Sequence, residues 1–127
     1  SIEPNSPTYL NAYAYTLALQ NRRLDDARRF VEHALEYAPE QASILDTLGF
    51  ICYLQNDFST SAKVLEKAYL ISGSVNIGVR YARSVYMLGD LQKFSTVLQQ
   101  LKQKHPNDPQ LDQLNTLLLP QQLKKSS

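Results

Sequence analysis

Apolar residues recur along the chain in short stripes of helical spacing, and polar breaks separate the stripes. Leu45, Leu48, Gly49 and Cys52 fall at i, i+3, i+4 and i+7, one face of a helix. Gln55-Asn56-Asp57 interrupts that face. Phe58, Ser61, Leu65, Ala68 and Tyr69 make a second stripe, which Ser72-Gly73-Ser74 ends as a helix C-terminal signal. The flanking segments do the same. Leu10, Tyr13, Ala14 and Leu17 precede Leu24, Ala27, Val31 and Ala34, while Tyr81, Ala82 and Val85 precede Leu91, Phe94, Leu98 and Leu101. Ser6 before Pro7 predicts a capped start for the first helix. Asp108-Pro109 repeats that signal ahead of a seventh, with Leu111, Leu114 and Leu118 along its apolar face. Pro120 is expected to end this helix, leaving Gln121 to Ser127 as a frayed polar tail. The pattern predicts an all-α chain of about seven helices arranged as antiparallel pairs.

The pairs repeat. Pro39, Gly73 and Pro106 lie 34 and 33 residues apart, as do Ala34, Ala68 and Leu101, and Ala27, Ser61 and Phe94. Ala14, Gly49 and Ala82 follow at spacings of 35 and 33. A period of this length is the mark of a repeat architecture. The small residues let two helix backbones approach at a crossing, and the Leu and Tyr residues beside them fill the gaps.

These columns resemble the tetratricopeptide repeat family, three degenerate repeats followed by a capping helix. The second unit carries the likeness best, with Leu45-x-x-Leu48-Gly49-x-x-Cys52, then Ser61-x-x-x-Leu65, Ala68 and Gly73. It has Cys52 for the family's aromatic residue and Gly73 for its closing Pro. The first unit reads Leu10-x-x-Tyr13-Ala14-x-x-Leu17, then Ala27-x-x-x-Val31, Ala34 and Pro39, with one extra residue in Gln20-Asn21-Arg22-Arg23. The third keeps Tyr81-Ala82, Gly89-Asp90 and Pro106, but has Gly78 and Phe94 where a large and a small residue are usual. An exchange of volume is therefore expected, with Phe94 filling the space that Gly78 gives up. The resemblance implies a right-handed α-solenoid. The expected division is an N-terminal extension at 1–6, a single domain at 7–119 and a polar tail at 120–127. Within the domain, repeats fall at about 8–40, 41–74 and 75–107, with the capping helix at 109–119.

The resemblance also implies that the first helix of each pair lines a concave groove. There the chain offers Asn11 and Tyr15, then Asp46, Phe50 and Tyr53, then Arg80, Arg83 and Tyr86, all off the packing stripes. Aromatic surface with polar handles suits an extended or helical peptide. The carboxylate clamp of some family members is not implied. Of its positions only Arg80 holds a cation, and Tyr15, Thr47 and Asn76 stand where Asn or Lys is expected.

Charge and composition narrow the chemistry. The 127 residues carry 13 basic and 12 acidic side chains, a formal net charge of +1, which speaks against a wholesale phosphate-binding surface and hence against nucleic acid as partner. The one basic cluster, Arg22, Arg23, Arg28 and Arg29, is interleaved with Asp25, Asp26 and Glu32 and reads as a solvated face. No apolar run reaches the roughly 20 residues of a membrane span. Ser1-Ile2-Glu3-Pro4 does not read as a signal peptide, and it lacks an initiator Met, so a processed protein and a fragment both stay open. His33 and His105 have no His or Cys three or four residues away, so no metal site is expected. Cys52 lies on a buried stripe and reads as a core thiol. Asp25 and Asp26 are adjacent and diverge on a helix. No cofactor and no enzymatic activity are expected.

The two ends of the array differ. The seventh helix has Asp112, Gln113, Asn115 and Thr116 opposite its Leu stripe, as a terminal element should. From Tyr9 to Leu19 only Asn11 and Thr16 are polar, and a helix apolar on every side is normally buried on every side. Tyr9 and Tyr13 are therefore expected to meet a second copy of the chain or a preceding repeat. Two functions follow. One is a protein-interaction module, gripping a peptide in its groove, within a larger bacterial assembly, secretion or envelope protein. That setting rests on the likeness of Leu10-Asn11-Ala12-Tyr13-Ala14-Tyr15 and Ile44-Leu45-Asp46-Thr47-Leu48-Gly49 to bacterial repeat proteins. The other is a spacer or self-association segment of a longer array.

Overall fold

A computed structural model describes residues 6–118. Seven helices follow one another: α1 (Pro7–Leu19), α2 (Leu24–Tyr37), α3 (Ala42–Leu54), α4 (Phe58–Ser72), α5 (Val75–Met87), α6 (Leu91–Lys104) and α7 (Pro109–Asn115), the last running into a 3-10 turn at Thr116–Leu118. The described residues contain no strand. Each helix packs on the next, and the odd-numbered helices also neighbour one another, α1 on α3, α3 on α5 and α5 on α7. The fold is a helical solenoid of antiparallel pairs.

Local chemistry sets the breaks. Asn21 and Asn56 take positive φ between the helices of the first two pairs, and Gly89, at φ 83°, does so in the third. Gly73, at φ 65°, closes α4 in the left-handed conformation that a side chain resists. Asp57, Asp90 and Asp108 cap α4, α6 and α7, accepting hydrogen bonds from the backbone N–H groups of Thr60, Lys93 and Gln110. Ser6 holds the cap position of α1 and Pro7 its first turn, but the Ser6 hydroxyl makes no capping bond. The expected end at Pro120 and the tail lie outside the described residues.

The small residues sit at the crossings. Ala14, Ala27, Ala34, Ala68 and Ala82 are fully buried. A Cβ on Gly49 would stand 2.3 Å from Leu65 Cγ, so α3 and α4 touch there only because the methyl is missing. Gly78 is treated differently from expectation. The atoms nearest its empty Cβ position belong to Leu101 of α6, at 2.5 Å, and Tyr69 of α4, at 3.0 Å. Phe94 is fully buried, but it stacks edge-on against Tyr86 at 5.3 Å. The volume that Gly78 yields is thus filled by Leu101 and by an aromatic ring from the preceding repeat.

Candidate protein-binding groove

Hydrogen bonds set the three central helices against one another. The Ser61 hydroxyl of α4 lies 2.7 Å from the Gly49 carbonyl of α3 and 2.8 Å from the Ser84 hydroxyl of α5, which lies 3.1 Å from the Arg80 carbonyl. Two hydroxyl protons serve these three contacts. Either Ser84 donates to Ser61 and Ser61 to Gly49, or Ser61 donates to Ser84 and Ser84 to Arg80. Both serines are fully buried, and losing either would leave the other with its backbone-carbonyl contact alone and break the link between α4 and α5.

On this frame α3, α5 and α7 form the walls of a groove of about 400 Å3. Phe50, Tyr53, Val79 and Leu65 give it an apolar floor. Leu65 belongs to α4 and reaches the groove past Gly49. Asn76, Gln110 and Gln113 add amides at the α7 side, where Gln110 Nε2 donates to the Asn76 side-chain Oδ1 at 2.8 Å. Arg80 and Arg83 supply the cations. The Arg80 guanidinium is committed. It donates to both Asp46 carboxylate oxygens at 3.2 Å and lies 4.7 Å over the Phe50 ring. Burial pushes the Asp46 carboxyl above its ordinary range, and Arg80 opposes the shift. Arg83 has no carboxylate partner among the described residues.

Of the residues expected in the groove, Phe50, Tyr53, Arg80 and Arg83 line this one cavity. Asp46 joins them through Arg80, and Tyr15 extends the aromatic surface onto α1, its ring 6.1 Å from Phe50. Tyr53 also packs edge-on against Phe58 at 5.3 Å. Asn11 and Tyr86 do not line the cavity: Tyr86 turns to Phe94, and Asn11 sits half-buried on α1. Sequence reasoning missed the contribution of α7. The signal was present, because Gln110 and Gln113 stand 34 residues after Asn76 and Val79 and so continue the period of the repeats.

Elsewhere the polar chemistry is structural. Arg28 donates to Glu32 at 2.8 Å and to Asp57 at 3.1 Å, while Arg23 and Arg29 both pair with Asp26. Asp25 accepts instead from Gln55, so the adjacent carboxylates serve different partners. Cys52 is fully buried, and its thiol is pushed up to about 11 by burial, which leaves no thiolate at neutral pH. Among the described residues no group of three metal-ligating side chains occurs, and no helix is long and apolar enough to cross a membrane.

The geometry therefore defines a class, a helical-repeat chain with a mixed apolar and cationic groove. No protein-family model matches the chain. Over 66 residues, 52% of its length, it is 35% identical to TPR repeat-containing protein PA4667 of Pseudomonas aeruginosa, and it spans only 11% of that relative. In sequence over half of the chain, and in the arrangement of its helix pairs, the chain is thus similar to a tetratricopeptide-repeat protein.

Proposed function

We propose that the chain is a non-catalytic binding module that holds a peptide or protein segment in the groove between α3, α5 and α7. The observation that carries this reading is the groove's composition. An apolar floor lies beside Arg83, a cation without a carboxylate partner among the described residues, and a bank of amides. That combination fits an extended segment carrying a large apolar side chain next to an acidic one. The length of the bacterial relative supports placing the module within a larger bacterial protein.

Panning a library of random extended peptides against the chain tests the proposal. Wild type should enrich a family of sequences with an apolar–acidic core. Arg83→Ala should lose the acidic preference, and Phe50→Ala should weaken binding throughout. Enriched peptides that bind both variants as well as wild type would rule the groove out. The spacer reading draws on a separate observation, the exposed face of α1.

A further inference from the structure

The repeats allow α1 to be compared position by position with α3 and α5. All three helices have 13 residues, and offsets of 35 and 33 align them. Tyr9 then stands where Ile44 and Ile77 stand, Tyr13 where Leu48 and Tyr81 stand, and Thr16 where Ile51 and Ser84 stand. In α3 and α5 every one of these residues is buried, with exposures from 0% to 7%. In α1, Tyr9 is 41% exposed and Tyr13 39%, and Thr16 is exposed as well. α3 and α5 each have a preceding second helix, α2 and α4, packed against them, and none precedes α1 among the described residues.

From this we infer that the Tyr9–Tyr13–Thr16 face of α1 is the seat of an upstream helix of the same polypeptide, the second helix of a preceding tetratricopeptide repeat. The α4–α5 interface, where the covered residue equivalent to Tyr13 is also a tyrosine, describes this occupant. Against α5, the covering helix sets a small hydroxyl residue, Ser61, 23 residues before Ser84, and an acceptor, Glu66, 15 residues before Tyr81. The Tyr81 hydroxyl donates to Glu66 at 2.6 Å. Tyr13 is the equivalent of Tyr81. The helix covering α1 should therefore carry a small residue about 23 positions before Thr16 and a hydrogen-bond acceptor about 15 positions before Tyr13, following the spacing of the observed pairs.

A second copy of the chain fits the face less well. Stacking head to tail would place α7 against α1, and α7 turns Asp112, Gln113, Asn115 and Thr116 outward. It is also a first helix of the seven-residue kind, with no small-residue stripe like that of α4.

The test compares the 127-residue chain with the polypeptide as its gene encodes it. Tyr9→Glu should shift the thermal midpoint of the 127-residue chain by less than about 1 °C, the response of a surface site. In the longer polypeptide the same change should lower the midpoint of this unit by several degrees, while Tyr9→Phe should be silent in both. Three results would overturn the inference: a gene that encodes no helical hairpin directly ahead of α1, an equal effect of Tyr9→Glu in both forms, or concentration-dependent dimers of the 127-residue chain that Tyr9→Glu abolishes, which would make the occupant a second copy.

Discussion

The two ends of this solenoid are built differently. At α7, Leu111 and Leu114 are buried, polar residues face outward, and the Asp108 carboxylate caps the helix. At α1, Tyr9 and Tyr13 face outward, Leu19 is exposed, and the residue in the cap position makes no side-chain bond. A helix that ends an array needs a polar outer surface and a satisfied N-terminus. α7 has both and α1 has neither, so the outer faces of the first and last described helices differ in kind.

That contrast can be broken most forcefully at α7. Leu114→Ala removes a fully buried side chain, and denaturant unfolding should show a loss of about 2–5 kcal/mol. Tyr9→Ala, at the other end, should move stability by no more than about 0.5 kcal/mol in the 127-residue chain. Equal losses would mean that α1 is already packed. Between the ends, Gly49→Ala forces a methyl against the buried Leu65. It should cost about 1–3 kcal/mol after the helix-propensity gain of Ala is included, and it should also disturb the groove floor.

The helix starts sharpen the comparison at lower energy. Asp108→Ala removes a capping bond and should cost about 1 kcal/mol, whereas Ser6→Ala removes none and should be silent. Asp57 adds a pH test. Its carboxyl is held below the usual carboxylate range, first by the hydrogen bond from Thr60 and further by Arg28. A carboxyl lowered on folding stabilises fully above its unfolded pKa and loses that contribution as pH falls through the folded value. The stability gap between wild type and Asp57→Ala should therefore be widest near neutral pH and close in acid. A small effect on stability is likewise expected at Arg83. Arg83→Glu should change stability by no more than about 0.5 kcal/mol while altering the peptide preference of the groove.

Much of this was legible in the chain. The columns at Ala14, Gly49 and Ala82 and at Ala27, Ser61 and Phe94 located the helix crossings, and the stripes between them located the helices. What escaped depended on contacts between repeats. Spacing within the third unit suggested that Phe94 would fill the space beside Gly78. A ring from α4, Tyr69, leans in with Leu101 instead, and no single repeat contains that information. Asp46 and Arg80 could be named as groove residues, but their pairing crosses 34 residues and leaves Arg83 as the groove cation without a carboxylate partner among the described residues. Tyr86 shares the groove helices yet turns to Phe94, because a large residue at a small-residue position draws an aromatic partner.

Amide hydrogen exchange along α1 tests the central contrast most directly, measured in the 127-residue chain and in the polypeptide as encoded. If α1 is an internal helix lacking its cover, its amides should exchange far faster than those of α5 in the 127-residue chain and rise towards α5-like protection in the longer one. Protection of α1 that is already equal to that of α5 in the 127-residue chain, or unchanged in the longer one, would contradict the account.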